Sequence, residues 1–116
     1  MNAAPSFKRI ALIGFGLIGG SIARAAREQG LAGEIVTTAR SAKTRARVSE
    51  LGIVDRVVET NAQAVDNADL VILCIPVGAC GAVAQEIAPY LKPGAIVSDV
   101  SSVKGAVARE MAPHLP

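Results

Sequence analysis

The sequence predicts an α/β fold in which an open parallel sheet carries helices on both faces. Three observations lead there. A buried apolar run, Ile10-Ala11-Leu12-Ile13, passes through the glycine-rich turn Gly14-Phe15-Gly16-Leu17-Ile18-Gly19 directly into a helical pattern. Aliphatic or β-branched runs then alternate with helical segments along the rest of the chain. The composition is 51% hydrophobic but only 3% aromatic, so the interior is aliphatic and alanine-rich and lets helices sit close on a sheet. A chain of 116 residues is one domain, with residues 1–8 read as a tail and 9–116 as the folded unit.

The first strand shows no polar alternation, which suits a strand covered on both faces. In the turn after it, Gly14 supplies the tight bend, Gly16 lets the backbone approach a pyrophosphate, and Gly19 lets the helix lie against the strand. The first helical turn then offers unpaired N–H groups to the anion. G-x-G-x-x-G between a strand and a helix is a dinucleotide fingerprint. With the alternation that follows, it gives a Rossmann-type open parallel sheet of order 3-2-1-4-5, with its ligand across the C-terminal strand ends.

On the first helix, Ile18, Ile22, Ala25 and Ala26 form the apolar stripe, while Arg24, Arg27 and Glu28 lie elsewhere. Gly30 and Gly33 close this helix and open a second strand, Glu34 to Ala39, rich in β-branched residues. A charged helix over about Lys43 to Leu51 follows, ended by Gly52, with Ala42, Ala46 and Leu51 turned inward. Val57-Val58 is a short third strand, and residues 61–67 are a polar connection or a single helical turn. Asp69 to Ile75 is the buried fourth strand, stopped by Pro76, which cannot donate into a central ladder. A helix over about 79–88 points Val83 and Ile87 inward. Pro89 and the Lys92-Pro93-Gly94 turn separate it from a fifth strand, Ala95 to Asp99. Ser101 or Ser102 starts a last helix running to about Met111. A sixth strand is expected after Pro116.

Twelve basic and ten acidic residues leave a net charge of +2, too balanced to announce nucleic acid. No stretch is long and uncharged enough to span a membrane, and residues 1–7 lack the apolar region of a signal peptide. Two cysteines, Cys74 and Cys80, make no disulfide framework, so a reduced, cytoplasmic protein is expected. The single histidine, His114, and the cysteine spacing offer no metal site and no hydrolytic triad.

The end of the second strand bears on the cofactor. A NAD site carries Asp or Glu about twenty residues after the glycines, to bind the adenosine ribose hydroxyls. Counting from Gly19 reaches Ala39, and Arg40 follows with a planar fork suited to phosphate. Ser41, Lys43, Thr44 and Arg45 stand close by as further candidates for a 2′-phosphate. The expected cofactor is therefore NADP, with NAD as the alternative. Ile75, Pro76 and Ser101, at the ends of the later strands, complete the candidate cofactor-binding set.

The segments Gly14-Phe15-Gly16-Leu17-Ile18-Gly19-Gly20-Ser21, Cys74-Ile75-Pro76-Val77 and Asp99-Val100-Ser101-Ser102-Val103-Lys104-Gly105 together resemble the prephenate dehydrogenase family, which includes arogenate and cyclohexadienyl dehydrogenases. The likeness runs from Arg9 to about Met111. The first motif is shared by many dehydrogenases; its pairing with Asp-x-x-Ser-x-Lys about 80 residues further on is far more specific. The resemblance implies oxidative decarboxylation of prephenate or arogenate in tyrosine synthesis, driven by aromatisation of the product. It places Ser102 near the substrate hydroxyl and the cofactor, with Lys104 in the same motif. Both have a plainer reading, since Ser101 or Ser102 caps a helix as readily and a first-turn lysine reaches solvent. Asp99 reads as a loop-fixing residue, Asp69 as a turn residue far from the cofactor, and both cysteines as packing with no activated thiolate.

The resemblance further implies that a catalytic histidine in a Gly-x-His-Pro segment, an arginine for the substrate carboxylate and a helical domain forming a homodimer all follow Pro116. His114 does not match that histidine. The 116-residue chain is thus expected to bind cofactor without turning over substrate. Two competing readings are a reductase of the hydroxyacid or imine type, which shares the glycine motif, and a nucleotide-sensing module without turnover.

Overall fold

The computed structural model describes residues 7–14 and 16–99, the side chains of residues 16–18 and 77 excepted. Its elements are β1 Phe7–Ile13, α1 Gly16–Glu28, β2 Ala32–Thr38, α2 Ala42–Glu50, β3 Arg56–Val58, α3 Asn61–Val65, β4 Leu70–Leu73, α4 Val77–Ile87, a 3-10 turn Ala88–Tyr90, and β5 Ile96–Asp99. All strands pair in parallel, in the order β3-β2-β1-β4-β5. That is the order read from the sequence.

The unbroken apolar run of β1 is explained by two separate cores. Neighbouring strand residues point to opposite faces. Ile10 and Leu12 join Ile35, Leu70 and Ile72 on one face, covered by Ala23 and Ala26 of α1 and Val48 of α2. Ala11 and Ile13 join Val36, Val71 and Leu73 on the other, covered by Ala64 and Val65 of α3 and Ile87 of α4. The register carries this through the sheet, with Ile10 opposite both Ile35 and Leu70.

Helix rotation departs from expectation in two places. On α1, Ala23 and Ala26 are buried and Ala25 is exposed. On α2, Ala42, Ala46 and Leu51 are all exposed, Leu51 by 54%, and the helix meets the core through Val48. On α2 a methyl side chain carries too little apolar area to fix the rotation, whereas burying Val48 contributes roughly 1.5–3 kcal/mol and sets it. On α1, Ala23 and Ala26 continue the line of Gly19, at i+4 and i+7, along the face that lies against the glycine turn.

Boundaries shift by short steps. Gly33 lies within β2 rather than opening it, and the chain turns at Gly30, with φ +66°. Residues 61–65 form a helix, opened by a capping box in which the Thr60 hydroxyl accepts from Gln63 N–H and the Gln63 side chain accepts from Thr60 N–H. β4 ends at Leu73, and α4 starts two residues before the expected Ala79, with Pro76 as its N-cap. The expected last helix lies outside the described residues.

At the N-terminal edge of the sheet, Asp69 does more than turn the chain. Its carboxylate accepts Lys8 N–H at 2.7 Å, Arg9 N–H at 3.1 Å and the Lys92 ammonium. Its backbone donates to Arg9 O and accepts from Ile96 N–H, so one residue joins β1, β4 and β5. The Lys92 hydrogen bond, followed by the Arg9 amide, holds its carboxyl below the ordinary value of 3.8.

Candidate functional site

The strand order reverses between β1 and β4, which leave in opposite directions across the sheet. Open α/β sheets take ligands at such a switch point, outside the carboxyl ends of the strands. Here that edge carries a cleft of about 690 Å³. Four strand ends contribute to it in turn: Ile13 and Gly14 after β1, Thr38 and Arg40 after β2, Glu59 and Thr60 after β3, and Ile75 and Pro76 after β4. Asn61 closes one end, and Ala79, Val83 and Glu86 of α4 make the far wall.

The glycine turn is shaped by contact as well as by conformation. Gly14 has φ +78°, and a Cβ there would stand 3.0 Å from both the Cys74 carbonyl oxygen and Ile75 Cγ2. A side chain is excluded on both counts. A Cβ on Gly19 would lie 3.1 Å from the Gly14 carbonyl oxygen and 3.6 Å from Cys74 Sγ, so α1 rests directly on the turn that precedes it. Gly14 N–H donates to Thr38 Oγ1 at 2.8 Å, tying the turn to the end of β2. Thr37 Oγ1, fully buried, donates to Leu12 O at 2.9 Å and repeats the tie one residue earlier.

Beyond β2, Ala39 is buried where an acid would stand in a NAD-type site. Arg40 is exposed and lines the cleft, and its guanidinium has no partner among the described residues. The other polar candidates of this turn are engaged with it. Ser41 caps α2 by accepting from Thr44 N–H at 3.1 Å, and its hydroxyl donates to Thr44 Oγ1 at 2.8 Å. Arg45 Nη1 donates to Ala39 O at 3.0 Å and Arg40 O at 2.9 Å. Lys43 is exposed on the first turn of α2.

Of the residues singled out from the sequence, the structure brings Gly14, Arg40, Ile75 and Pro76 to the cleft. Gly19 is buried beneath the turn, and Ser41, Lys43, Thr44 and Arg45 do not line the cleft. Gly16, Leu17 and Ile18 begin α1. Phe15, Ser101, Ser102 and Lys104 lie outside the described residues. Sequence reasoning missed Thr38, Glu59, Thr60, Asn61, Ala79, Val83 and Glu86. The Thr60-x-x-Gln63 capping box could have marked the start of α3. Nothing in the sequence marks Glu86, which reaches the site because Asn61 Nδ2 donates to its Oε1 at 3.1 Å across the α3/α4 gap.

Cys74 sits under the turn. Burial pushes its thiol up to about 11, which disfavours the thiolate, and its Sγ faces Ile72 O at 3.8 Å. Cys80 Sγ faces Pro76 O at 3.6 Å. Among the described residues no His, Cys, Asp and Glu group is arranged to hold a metal ion, and no helix is long and apolar enough to cross a membrane.

Comparison with known proteins follows the same lines. The model of the family "Prephenate dehydrogenase, nucleotide-binding domain" matches residues 22–116. The chain is 42% identical over 110 residues to a cyclohexadienyl dehydrogenase of Zymomonas mobilis, covering 95% of this chain and 38% of that protein. It is 38% identical over 98 residues to a pyrroline-5-carboxylate reductase of Pseudomonas aeruginosa, covering 84% of this chain and 36% of that one. Among solved structures, the arogenate dehydrogenase of Synechocystis superposes with a TM-score of 0.72 at 30% identity, over 90% of this chain and 37% of that one. The chain thus spans less than two-fifths of the length of these relatives.

Proposed function

The chain belongs to the prephenate dehydrogenase family, matching its nucleotide-binding domain, and from this we propose that it is the cofactor-binding part of an NADP-dependent enzyme that oxidatively decarboxylates prephenate or arogenate toward tyrosine. The observation that carries the cofactor choice is Arg40. Its guanidinium has no partner among the described residues and stands in the cleft at the end of β2, and the acid that would bind a ribose diol and repel a 2′-phosphate is replaced by the buried Ala39.

The cleft fits a dinucleotide. Gly14 keeps side-chain bulk away from the mouth of the turn, α1 begins two residues later, and its free N–H groups suit a pyrophosphate. Ile75, Pro76, Ala79 and Val83 give an apolar wall for a flat ring, and Arg40 lies at the ribose end. These residues would hold a nicotinamide cofactor, which would supply the hydride acceptor for the ring carbon bearing the hydroxyl, while the hydroxyl proton leaves and the ring carboxylate departs as carbon dioxide to make the product aromatic. The chain's own residues supply position: Thr38 fixes Gly14, and Arg40 receives the extra phosphate. Ser102 and Lys104 are proposed to reach the substrate side, and Ser101 and Phe15 the cofactor. The homodimer and the cytoplasmic location belong to the same proposal. NAD remains the weaker cofactor.

The decisive assay is of the whole protein with prephenate and arogenate, each against NADP and NAD, together with dissociation constants of both cofactors at fixed ionic strength. Turnover of one substrate with NADP preferred, and that preference lost in Arg40→Ala, is the expected result. Turnover of neither substrate, or NAD bound as tightly as NADP, overturns it. The 38% identity to a pyrroline-5-carboxylate reductase favours a second reading, a reductase of that type. The match over residues 22–116 takes in Asp99 to Lys104 and favours the first.

A further inference from the structure

We propose that Arg45 is the positioning residue for cofactor selection, holding the backbone from which Arg40 meets the 2′-phosphate rather than meeting the phosphate itself; this rests on the NADP reading above. The observation is a convergence of three consecutive carbonyls on one residue. Arg45 Nη1 takes Ala39 O at 3.0 Å and Arg40 O at 2.9 Å, and Arg45 N–H takes Ser41 O at 3.0 Å. On the other side, Ala39 N–H donates to Val58 O at 3.0 Å, so the root of the turn is also anchored to β3.

The peptide groups flanking Arg40 would otherwise be free to rotate, since a turn outside the sheet ladder has no regular partners for its carbonyls. A carbonyl oxygen swung toward the cleft would repel a phosphate and carry the Arg40 side chain off its line. Two bonds from a single guanidinium fix both carbonyls toward α2, which settles the direction in which Arg40 leaves the backbone. Arg45 is half-buried and does not line the cleft, whereas Arg40 is exposed within it. The two arginines therefore divide the work, one engaged with the protein and one presented to the ligand. NAD has no 2′-phosphate and gains nothing from the arrangement.

The test is calorimetric titration of the chain with NADP and with NAD at fixed ionic strength, for wild type, Arg40→Ala, Arg45→Ala and the double variant. If Arg45 acts through Arg40, Arg45→Ala weakens NADP about tenfold and NAD less than about twofold, the loss of one charge-assisted contact. The double variant is then no weaker for NADP than Arg40→Ala alone. Losses that multiply in the double variant would mean that Arg45 touches the phosphate directly, and they overturn the proposal. An unchanged NADP to NAD ratio in Arg45→Ala, with Arg40→Ala still lowering it, overturns it as well and leaves Arg45 a structural residue. Arg45→Lys, which keeps the charge but ends one atom short of the Nη1 position from which both carbonyls are bonded, is expected to fall well short of wild type for NADP. Full recovery by lysine would show that charge alone matters and sink the positioning role. Absence of any NADP preference in the wild type would instead bring down the cofactor reading on which this one stands.

Discussion

Two glycines in helices of this chain should answer the same substitution unequally. Gly19 in α1 and Gly81 in α4 both lie inside helices at ordinary φ, so replacing either by alanine gains about 1 kcal/mol of helix propensity. At Gly81 a new methyl meets nothing within 4 Å, and the gain stands alone. At Gly19 the methyl lies 3.1 Å from the Gly14 carbonyl oxygen, with Cys74 Sγ at 3.6 Å behind it. That oxygen belongs to backbone held by the Thr38 bond, so it cannot yield as a flexible side chain would. Overpacking of this kind costs about 1–3 kcal/mol. Because the propensity gain is common to both variants, it cancels in their difference, which should equal the steric cost of about 1–3 kcal/mol with Gly81→Ala the more stable. Urea unfolding followed by circular dichroism measures both, provided the m-value stays constant. For a domain of this size each kcal/mol corresponds to about 4–8 °C in Tm, which thermal melting resolves easily. Gly19→Ala as stable as Gly81→Ala would refute the claim that α1 rests on the turn.

Asp69→Asn should destabilise the fold by about 1 kcal/mol at pH 7, since it removes the charge that holds Lys92 and weakens the bonds to Lys8 and Arg9 N–H. Its folded carboxyl titrates below 3.8, so this stabilisation is present above that pH and is lost as pH falls through the lower folded value. The gap between wild type and variant in denaturant melts should therefore close below about pH 3.8, and a gap that widened on acidification would contradict the assignment. Cys74, with its thiol raised to about 11, should alkylate with iodoacetamide in a pH profile that keeps rising past pH 10 in the Cys80→Ser background. An inflection near the free-thiol value of about 8.5 would show that the site under α1 is open to water.

Burial on both faces prints directly on a strand, which is why Ile10 to Ile13 and Leu70 to Leu73 were legible as central strands and the sheet order followed from them. Alanine prints nothing comparable: the apolar pattern turns Ala25, Ala42 and Ala46 inward, and the fold exposes all three. The cleft was half legible. Gly14, Arg40, Ile75 and Pro76 sit at strand ends that the pattern located, whereas Glu86 arrives there from α4, where Asn61 of α3 meets it. Ser41, Lys43, Thr44 and Arg45 are candidates for a 2′-phosphate by proximity in the sequence. What the sequence does not show is that short hydroxyl side chains also bond the nearest backbone and that the Arg45 side chain reaches back to its own turn.

The bond from Gly14 N–H to Thr38 Oγ1 has a consequence for how a two-part ligand is held. A dinucleotide carries its phosphates and its adenosine ribose on one covalent string of fixed reach, and in the function proposed above they would fall to two separate strand ends. The 2.8 Å bond ties those ends to each other in the fold itself, like the arms of a caliper, with no ligand needed to bring them together. Ordering that would otherwise be charged against binding has already been met in folding, and the second half of the ligand lands at a spacing the first half did not have to impose. A protein in which the two ends drifted independently would hold each half as well and the whole less tightly.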